Sequence, residues 1–111
     1  MSEILERNVR REDTLARLGG EEFLVILPRI NQQQVARFGE RLRKVVEQNS
    51  TVANPATISL GAATYTFTSK RAALKRIMKQ LISEADRAMY QSKHAGRNCF
   101  THFADLSNSN K

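Results

Sequence analysis

The feature that most limits what this 111-residue chain can fold into is a doubled glycine set between two strand-like runs. Thr14 to Leu18 reads as one strand. Phe23 to Leu27 reads as a second, apolar at every position as in a strand buried on both faces, and Pro28 ends it. The residues between them, Gly19-Gly20-Glu21-Glu22, open with paired glycines, and the spacing predicts a β-hairpin.

The rest of the pattern arranges itself around that hairpin. Ile4, Leu5 and Val9 recur at helical spacing, so residues 1–9 read as the end of a helix, with the polar connection Arg10-Arg11-Glu12-Asp13 after it. Asn31 can cap a helix running to about Asn49, whose buried stripe is Val35, Phe38, Leu42, Val45 and Val46. Arg37, Arg41 and Lys44 share another face of it. After the Asn54-Pro55 turn, Thr57 to Tyr65 reads as a third strand and Thr66 to Arg71 as a loop. A long helix from about Ala72 carries Leu74, Ile77, Met78, Leu81, Ile82, Ala85 and Met89 on its apolar face, and Gly96 supplies a left-handed stop. Asn98 to Phe103 reads as a last strand, and the Ser/Asn-rich tail from Leu106 as frayed. The order (α)ββαβαβ is an α+β layer, helices on a mainly antiparallel sheet, with one domain over 1–105 and a flexible tail over 106–111.

Composition narrows the function. A 41% hydrophobic and 26% charged chain is ordinary for a folded domain. No apolar run approaches the roughly 20 residues that span a membrane, and the charged start is not a secretory signal. The single Cys99 excludes an internal disulfide framework and fits a reducing compartment, so the expected location is cytoplasmic. A net charge of +7 calls for an anionic partner. Nucleic acid is disfavoured, because the basic residues are scattered among Glu and Asp and only two Tyr and five Phe could stack on bases. Small phosphorylated ligands suit separately placed arginines better.

The chemistry concentrates at the hairpin tip. Paired carboxylates on a tight turn gather hard oxygen ligands, which suits Mg²⁺ with phosphates completing its shell. The glycines permit positive φ and let a ligand approach the backbone without meeting a Cβ. Taken alone, the same four residues also describe a solvated structural turn.

The surroundings carry a resemblance. Leu18 to Phe23 followed by an apolar strand and Pro28 resembles the signature of GGDEF domains. Ile58-Ser59-Leu60-Gly61 resembles that family's SIGV strand, Glu84 to Tyr90 its ADxALY helix, and Lys93 to Asn98 its KxxGRN ending. The resemblance runs from Arg10 to Phe100. It implies a palm-like, ferredoxin-like sheet of the nucleotidyl-cyclase kind, and a diguanylate cyclase that condenses two GTP into cyclic di-GMP and two pyrophosphates. Two domains would face each other as a homodimer, each with one GTP and with Mg²⁺ or Mn²⁺. By the same resemblance Glu21 is the metal-binding carboxylate and Glu22 sits beside metal and phosphates. Gly19 and Gly20 let the nucleotide lie against the hairpin, and Lys93 and Arg97 contact the GTP phosphates. A competing reading of Lys93 and Arg97 is that cations near a helix C-terminus offset its dipole wherever they occur. Asp86 and Tyr90 read as structural, and His94 and His102 have no assigned role.

Arg10-Arg11-Glu12-Asp13 also reads RxxD, in the register of the family's inhibitory cyclic di-GMP site, with Arg41 as a further arginine and Arg37 able to assist. A guanidinium fork grips phosphate or stacks on guanine, and a carboxylate accepts from the guanine edge. Alternatively the segment is a charged turn in which Asp13 makes a local backbone bond. The family places a strand and helices before the segment seen here, carrying a metal-sharing aspartate and the guanine-reading residues. Three expectations follow. The 111 residues alone would lack turnover, the unpaired strands would favour self-association, and a cyclic di-GMP binding module is the alternative function. A longer parent chain with full activity, and a purely structural dimerisation element, complete the set.

Overall fold

The computed structural model describes residues 2–19, 22–53, 55–65 and 74–109. It divides into two compact units, Met1–Ile30 and Asn31–Lys111.

The first unit holds α1 (Ser2–Asn8), β1 (Thr14–Gly19) and β2 (Glu22–Ile26). The expected hairpin forms. Thr14 lies opposite Ile26 and Arg17 opposite Phe23, antiparallel, and the register then shifts at Leu18 so that Gly19 faces Glu22. One residue more on β1 than on β2 is a bulge, which sharpens local twist near the tip. The ladder therefore reaches one residue further on each side than the sequence pattern indicated. Gly20 and Glu21 lie outside the described residues. One expectation is corrected: Phe23, Leu24, Val25, Ile26 and Leu27 are half-buried, not enclosed on both faces. Among the described residues β2 has a single partner strand, β1, so its apolar run lacks the second neighbour that would enclose it.

The second unit holds α2 (Gln32–Gln48), β3 (Leu60–Ala62), α3 (Leu74–His94), β4 (Phe100–His102) and α4 (Phe103–Ser109). Helix α2 starts and stops where its capping residues dictate. Asn31 is the N-cap, its side chain accepting from the Gln34 amide while the Gln34 side chain accepts from the Asn31 N–H, a reciprocal capping box. Asn49 closes the other end, its backbone N–H reaching the Val45 and Val46 carbonyls. The buried positions are Val35, Gly39, Leu42 and Val46, a 4-3-4 spacing, with Phe38 and Val45 flanking them half-buried.

Strands β3 and β4 run parallel, Leu60 opposite Phe100 and Ala62 opposite His102. Parallel neighbours need a long crossover, and α3 is that crossover. The antiparallel character expected of the sheet thus belongs to the hairpin, and the second pair is a βαβ unit. Both strands are shorter than the patterns implied, three residues each. Helix α3 lies directly on this pair: a Cβ on Gly61 would stand 2.0 Å from the Met89 nitrogen and 2.2 Å from the Ala85 oxygen. Ala88 and Ser92, one turn apart, are fully buried on α3, so small side chains bring its backbone close to β3. Ile82, expected on the core face, is 39% exposed, because that face runs through the small residues instead. Gly39 does for α2 what Gly61 does for α3: a Cβ there would meet the Phe100 ring at 2.1 Å.

The stretch read as a fraying tail is helical as far as Ser109. Contacts from both of its neighbours hold α4. The Arg87 guanidinium lies 5.6 Å over the Phe103 ring, and the Ala104 N–H donates to His102 Nδ1 at 3.0 Å. An amide N–H can only donate, so Nδ1 is the bare nitrogen and Nε2–H donates to Thr64 Oγ1 at 2.7 Å. His102 is 4% exposed, and burial lowers its pKa against the raising pull of Asp105 and Glu84. The neutral ring is therefore a structural joint between β4, α4 and the segment after β3, a role the sequence did not signal.

Candidate functional site

The expected site residues fall in both units. In the first, Gly19 and Glu22 face each other across the end of the hairpin, with Glu22 exposed. Gly20 and Glu21, the latter expected to hold metal, lie outside the described residues. Among the described residues no three His, Cys, Asp or Glu side chains gather closely enough to hold a metal ion. Glu22 is the one carboxylate of the motif among the described residues, and a Mg²⁺ shell built on one or two carboxylates is completed by phosphate oxygens and water.

Arg10 and Asp13 are brought together. Asp13 Oδ2 accepts from the Arg10 backbone N–H at 2.6 Å, and the Asp13 N–H returns a bond to the Arg10 carbonyl at 3.0 Å. This is the local turn that the sequence also allowed, with a short charge-assisted bond at its centre. The Asp13 side chain is only 1% exposed, whereas that of Arg10 is 50% exposed. The Arg10 guanidinium lies 3.5 Å from Asp13 Oδ1, 3.8 Å from Glu12, and 3.5 Å from the Pro28 carbonyl. Distances that long hold weakly and leave the guanidinium able to exchange partners.

In the second unit, Arg37 and Arg41 are exposed on α2 one turn apart, with Arg41 5.5 Å over the Phe38 ring. Lys93 and Arg97 bracket the end of α3. Lys93, half-buried, and His94 sit in its last turn, where cations offset the carbonyl end of the dipole. Gly96 then takes φ 111°, and the Arg97 N–H donates to the Ser92 carbonyl at 3.0 Å. That bond, from the residue after a left-handed glycine back to the third-last helical residue, is the Schellman closure of a helix.

The chain does not leave the left-handed region at Gly96. Arg97 has φ 63° and Asn98 φ 46°. For arginine this costs on the order of 1–2 kcal/mol, and such residues persist where their surroundings over-determine them. Two sets of contacts do so here. Ser92, fully buried, donates its hydroxyl to the Leu60 carbonyl at 2.7 Å and receives the Thr101 hydroxyl at 2.7 Å, fixing α3 to both strands. The Ser92 carbonyl takes a second donor, the Cys99 thiol, at 3.3 Å. On the far side of the turn, Asn98 Nδ2 donates to Glu47 and Asn98 Oδ1 accepts from Arg43 Nη1 at 3.4 Å. Arg43 is held by Glu40 at 3.1 Å and by Glu47 at 3.7 Å. The Arg43 hydrogen bond keeps the Glu40 carboxyl below its usual range. Sequence reasoning missed this network, although Glu40, Arg43 and Glu47 stand at the three- and four-residue spacings that pair on a helix.

Tyr90, read as structural, is 65% exposed and packs on His94 with ring centroids 4.1 Å apart and planes tilted by 41°. Asp86 is exposed too.

Comparison with known proteins fits this geometry. The family model "Diguanylate cyclase, GGDEF domain" matches residues 1–99. The chain therefore belongs to the GGDEF diguanylate cyclase family. It is 36% identical over 105 residues to Diguanylate cyclase A of Treponema denticola, covering 91% of this chain and 27% of that protein. It is 38% identical over 101 residues to the probable diguanylate cyclase DgcT of Escherichia coli, covering 86% of this chain and 21% of that one. The chain thus spans about a quarter of the length of these relatives. Among solved structures, the GGDEF domain of DgcB from Caulobacter crescentus in complex with c-di-GMP superposes with a TM-score of 0.74 at 27% identity, over 93% of this chain and 60% of that one. No helix among the described residues is long and apolar enough to cross a membrane.

Proposed function

We propose that this chain supplies the carboxylate hairpin and the phosphate-binding helix end of a diguanylate cyclase, which joins two GTP into cyclic di-GMP and releases two pyrophosphates. The family match across residues 1–99 carries this reading, because that span includes both the hairpin and the end of α3. Glu21 and Glu22 are the proposed carboxylates for Mg²⁺ or Mn²⁺, with Gly19 and Gly20 leaving room for the nucleotide. Lys93 and Arg97 are the proposed phosphate contacts, two cations that the closure of α3 sets four residues apart. The reaction joins two substrates, so a homodimer with one GTP on each domain is the proposed working assembly, in the reducing cytoplasm where Cys99 stays a thiol.

The test is to incubate the purified chain with GTP and Mg²⁺ and look for cyclic di-GMP by chromatography. For the 111 residues alone the expected outcome is nucleotide binding without turnover. Turnover that disappears in Glu21→Gln would instead assign the whole reaction to this segment.

A second reading has its own support. Arg10 is presented half-exposed by a turn that Asp13 closes, and the DgcB neighbour was solved in complex with c-di-GMP. On this reading the chain binds cyclic di-GMP through Arg10, Asp13, Arg37 and Arg41 without turning GTP over. Micromolar binding of cyclic di-GMP that is lost in Arg10→Ala but kept in Arg97→Ala would select it.

A further inference from the structure

The turn after α3 contains a residue whose job is not explained by charge. Asn98 is half-buried, left-handed, and bonded through both ends of its amide to α2. Its oxygen takes the Arg43 guanidinium and its nitrogen gives to Glu47, residues 55 and 51 positions earlier in the chain. Arg43 is itself fixed, forked onto Glu40 and only 17% exposed. The neighbour of Asn98 is Arg97, an exposed arginine in a backbone conformation that arginine rarely adopts. On the near side the Arg97 N–H is tied to Ser92. The Arg97 backbone is thus clamped between a bond to α3 and an amide anchored on α2, while the residue itself is exposed.

We propose that Asn98 is a positioning residue for Arg97: anchored by Arg43 and Glu47, it holds the left-handed turn that aims the Arg97 guanidinium at a polyphosphate. This rests on the reading of Arg97 as a phosphate contact. The physical reason is preorganisation. A guanidinium grips phosphate through a planar fork, so its usefulness depends on where its backbone points it. A turn free to relax out of the left-handed region would spend much of its time aiming that fork elsewhere, and the cost of ordering it would be charged to binding. Asparagine suits the position twice over. It tolerates the left-handed region better than most residues, and its amide offers one donor and one acceptor to a carboxylate and a guanidinium.

The test uses inorganic triphosphate and the full 111-residue chain, with binding followed through the Arg97 amide signal by NMR, which reads affinities down to the millimolar range. Asn98→Ala removes the anchor and is expected to weaken binding ~3–10-fold, in the lower part of the range for residues coupled in one hydrogen-bond network. The double variant Asn98→Asp with Glu47→Gln reverses the donor and acceptor across that bond while keeping the net charge of the natural chain. It is expected to bind within about twofold of the natural chain. Because all three chains carry equal net charge, general electrostatics cannot produce that pattern. Should Asn98→Ala unfold the turn outright, Asn98→Gly, which keeps the left-handed backbone and loses only the anchor, is expected to show the same weakening.

Arg97→Ala separates phosphate contact from positioning. Binding lost in Arg97→Ala but undiminished in Asn98→Ala and Asn98→Gly overturns the positioning role and leaves the phosphate reading standing. Binding undiminished in Arg97→Ala, or no binding by the natural chain, removes the phosphate reading and the positioning role with it. Weakening in Asn98→Ala that the double variant fails to recover also overturns the inference, because the hydrogen bond across Asn98 would then not be what matters.

Discussion

Two turns each present an arginine, and they are built in opposite ways. The turn at Arg10 is held by a carboxylate three residues away, and its contact from farther along the chain is the long one from the guanidinium to the Pro28 carbonyl. The turn at Arg97 is held by Ser92 in α3, by Leu60 and Thr101 in the strands, and by Arg43 and Glu47 in α2. The first can rearrange without disturbing its surroundings. The second can move only if four elements, α2, α3, β3 and β4, give way together. A site that adapts to its ligand suits the former construction, and one that must hold a reactant in fixed geometry suits the latter.

That contrast can be broken by mutation, beginning where the largest loss is expected. Gly61→Ala should destabilise the second unit by about 3 kcal/mol, because the added Cβ meets the backbone of α3 and not a side chain that can swing away. Chemical denaturation monitored by circular dichroism would measure it; a loss near zero would mean α3 can lift off β3 freely. Ser92→Ala should cost ~1–3 kcal/mol in the same experiment, since it strips the donor from the half-buried Leu60 carbonyl and the partner from Thr101. Asp13→Ala, by comparison, should cost about 1 kcal/mol, the worth of one local capping bond. Arg10→Ala should change stability by less than ~0.5 kcal/mol, because its ion pairs are long and half-exposed. If the two turns ranked the other way, the distinction between local and tertiary construction would be wrong.

A pH titration sharpens the same point for the second unit. Burial lowers the folded-state pKa of His102 below its ordinary value near 6.5, so the neutral ring is the form that folds. The joint should therefore be whole above pH 6.5 and lost progressively as pH falls from there through the lowered folded value, because unfolded chains bind the proton first. Melting temperature should drop between pH 7.5 and pH 5.5 in the natural chain and drop less in His102→Gln. An equal drop in both would place the sensitivity elsewhere, with Glu84 and Asp105 the carboxylates nearest in influence.

How much of this was legible beforehand follows the same division. Features set by neighbours in sequence were readable: the Asn31 cap of α2 and its end near Asn49, the Gly96 stop of α3, the hairpin around Gly19, and the local Asp13 bond offered as one of two options. The four family segments made the chain's membership readable as well. Features set by distant partners were not. Hydrophobic periodicity marks which side chains are apolar but says nothing of how closely two backbones approach. It therefore put Ile82 in the core of α3 when Gly61, Ala88 and Ser92 define that contact. It likewise could not tell that His102 would satisfy both ring nitrogens internally, or that Phe103 and Ala104 would dock a helix where polar composition pointed to fraying. Glu21 carries most of the expected chemistry, and it lies outside the described residues.

The Ser92 carbonyl accepts from two donors at once, the Arg97 N–H and the Cys99 thiol. Cys99 is the only cysteine in the chain, so alkylation by a maleimide would label one position alone. A thiol engaged in a hydrogen bond inside a closed turn reacts slowly, and one released when the turn opens reacts at its solvent rate. The labelling rate of the natural chain is thus a built-in clock for how often the Arg97 turn lets go, readable without introducing any probe and before any ligand is added.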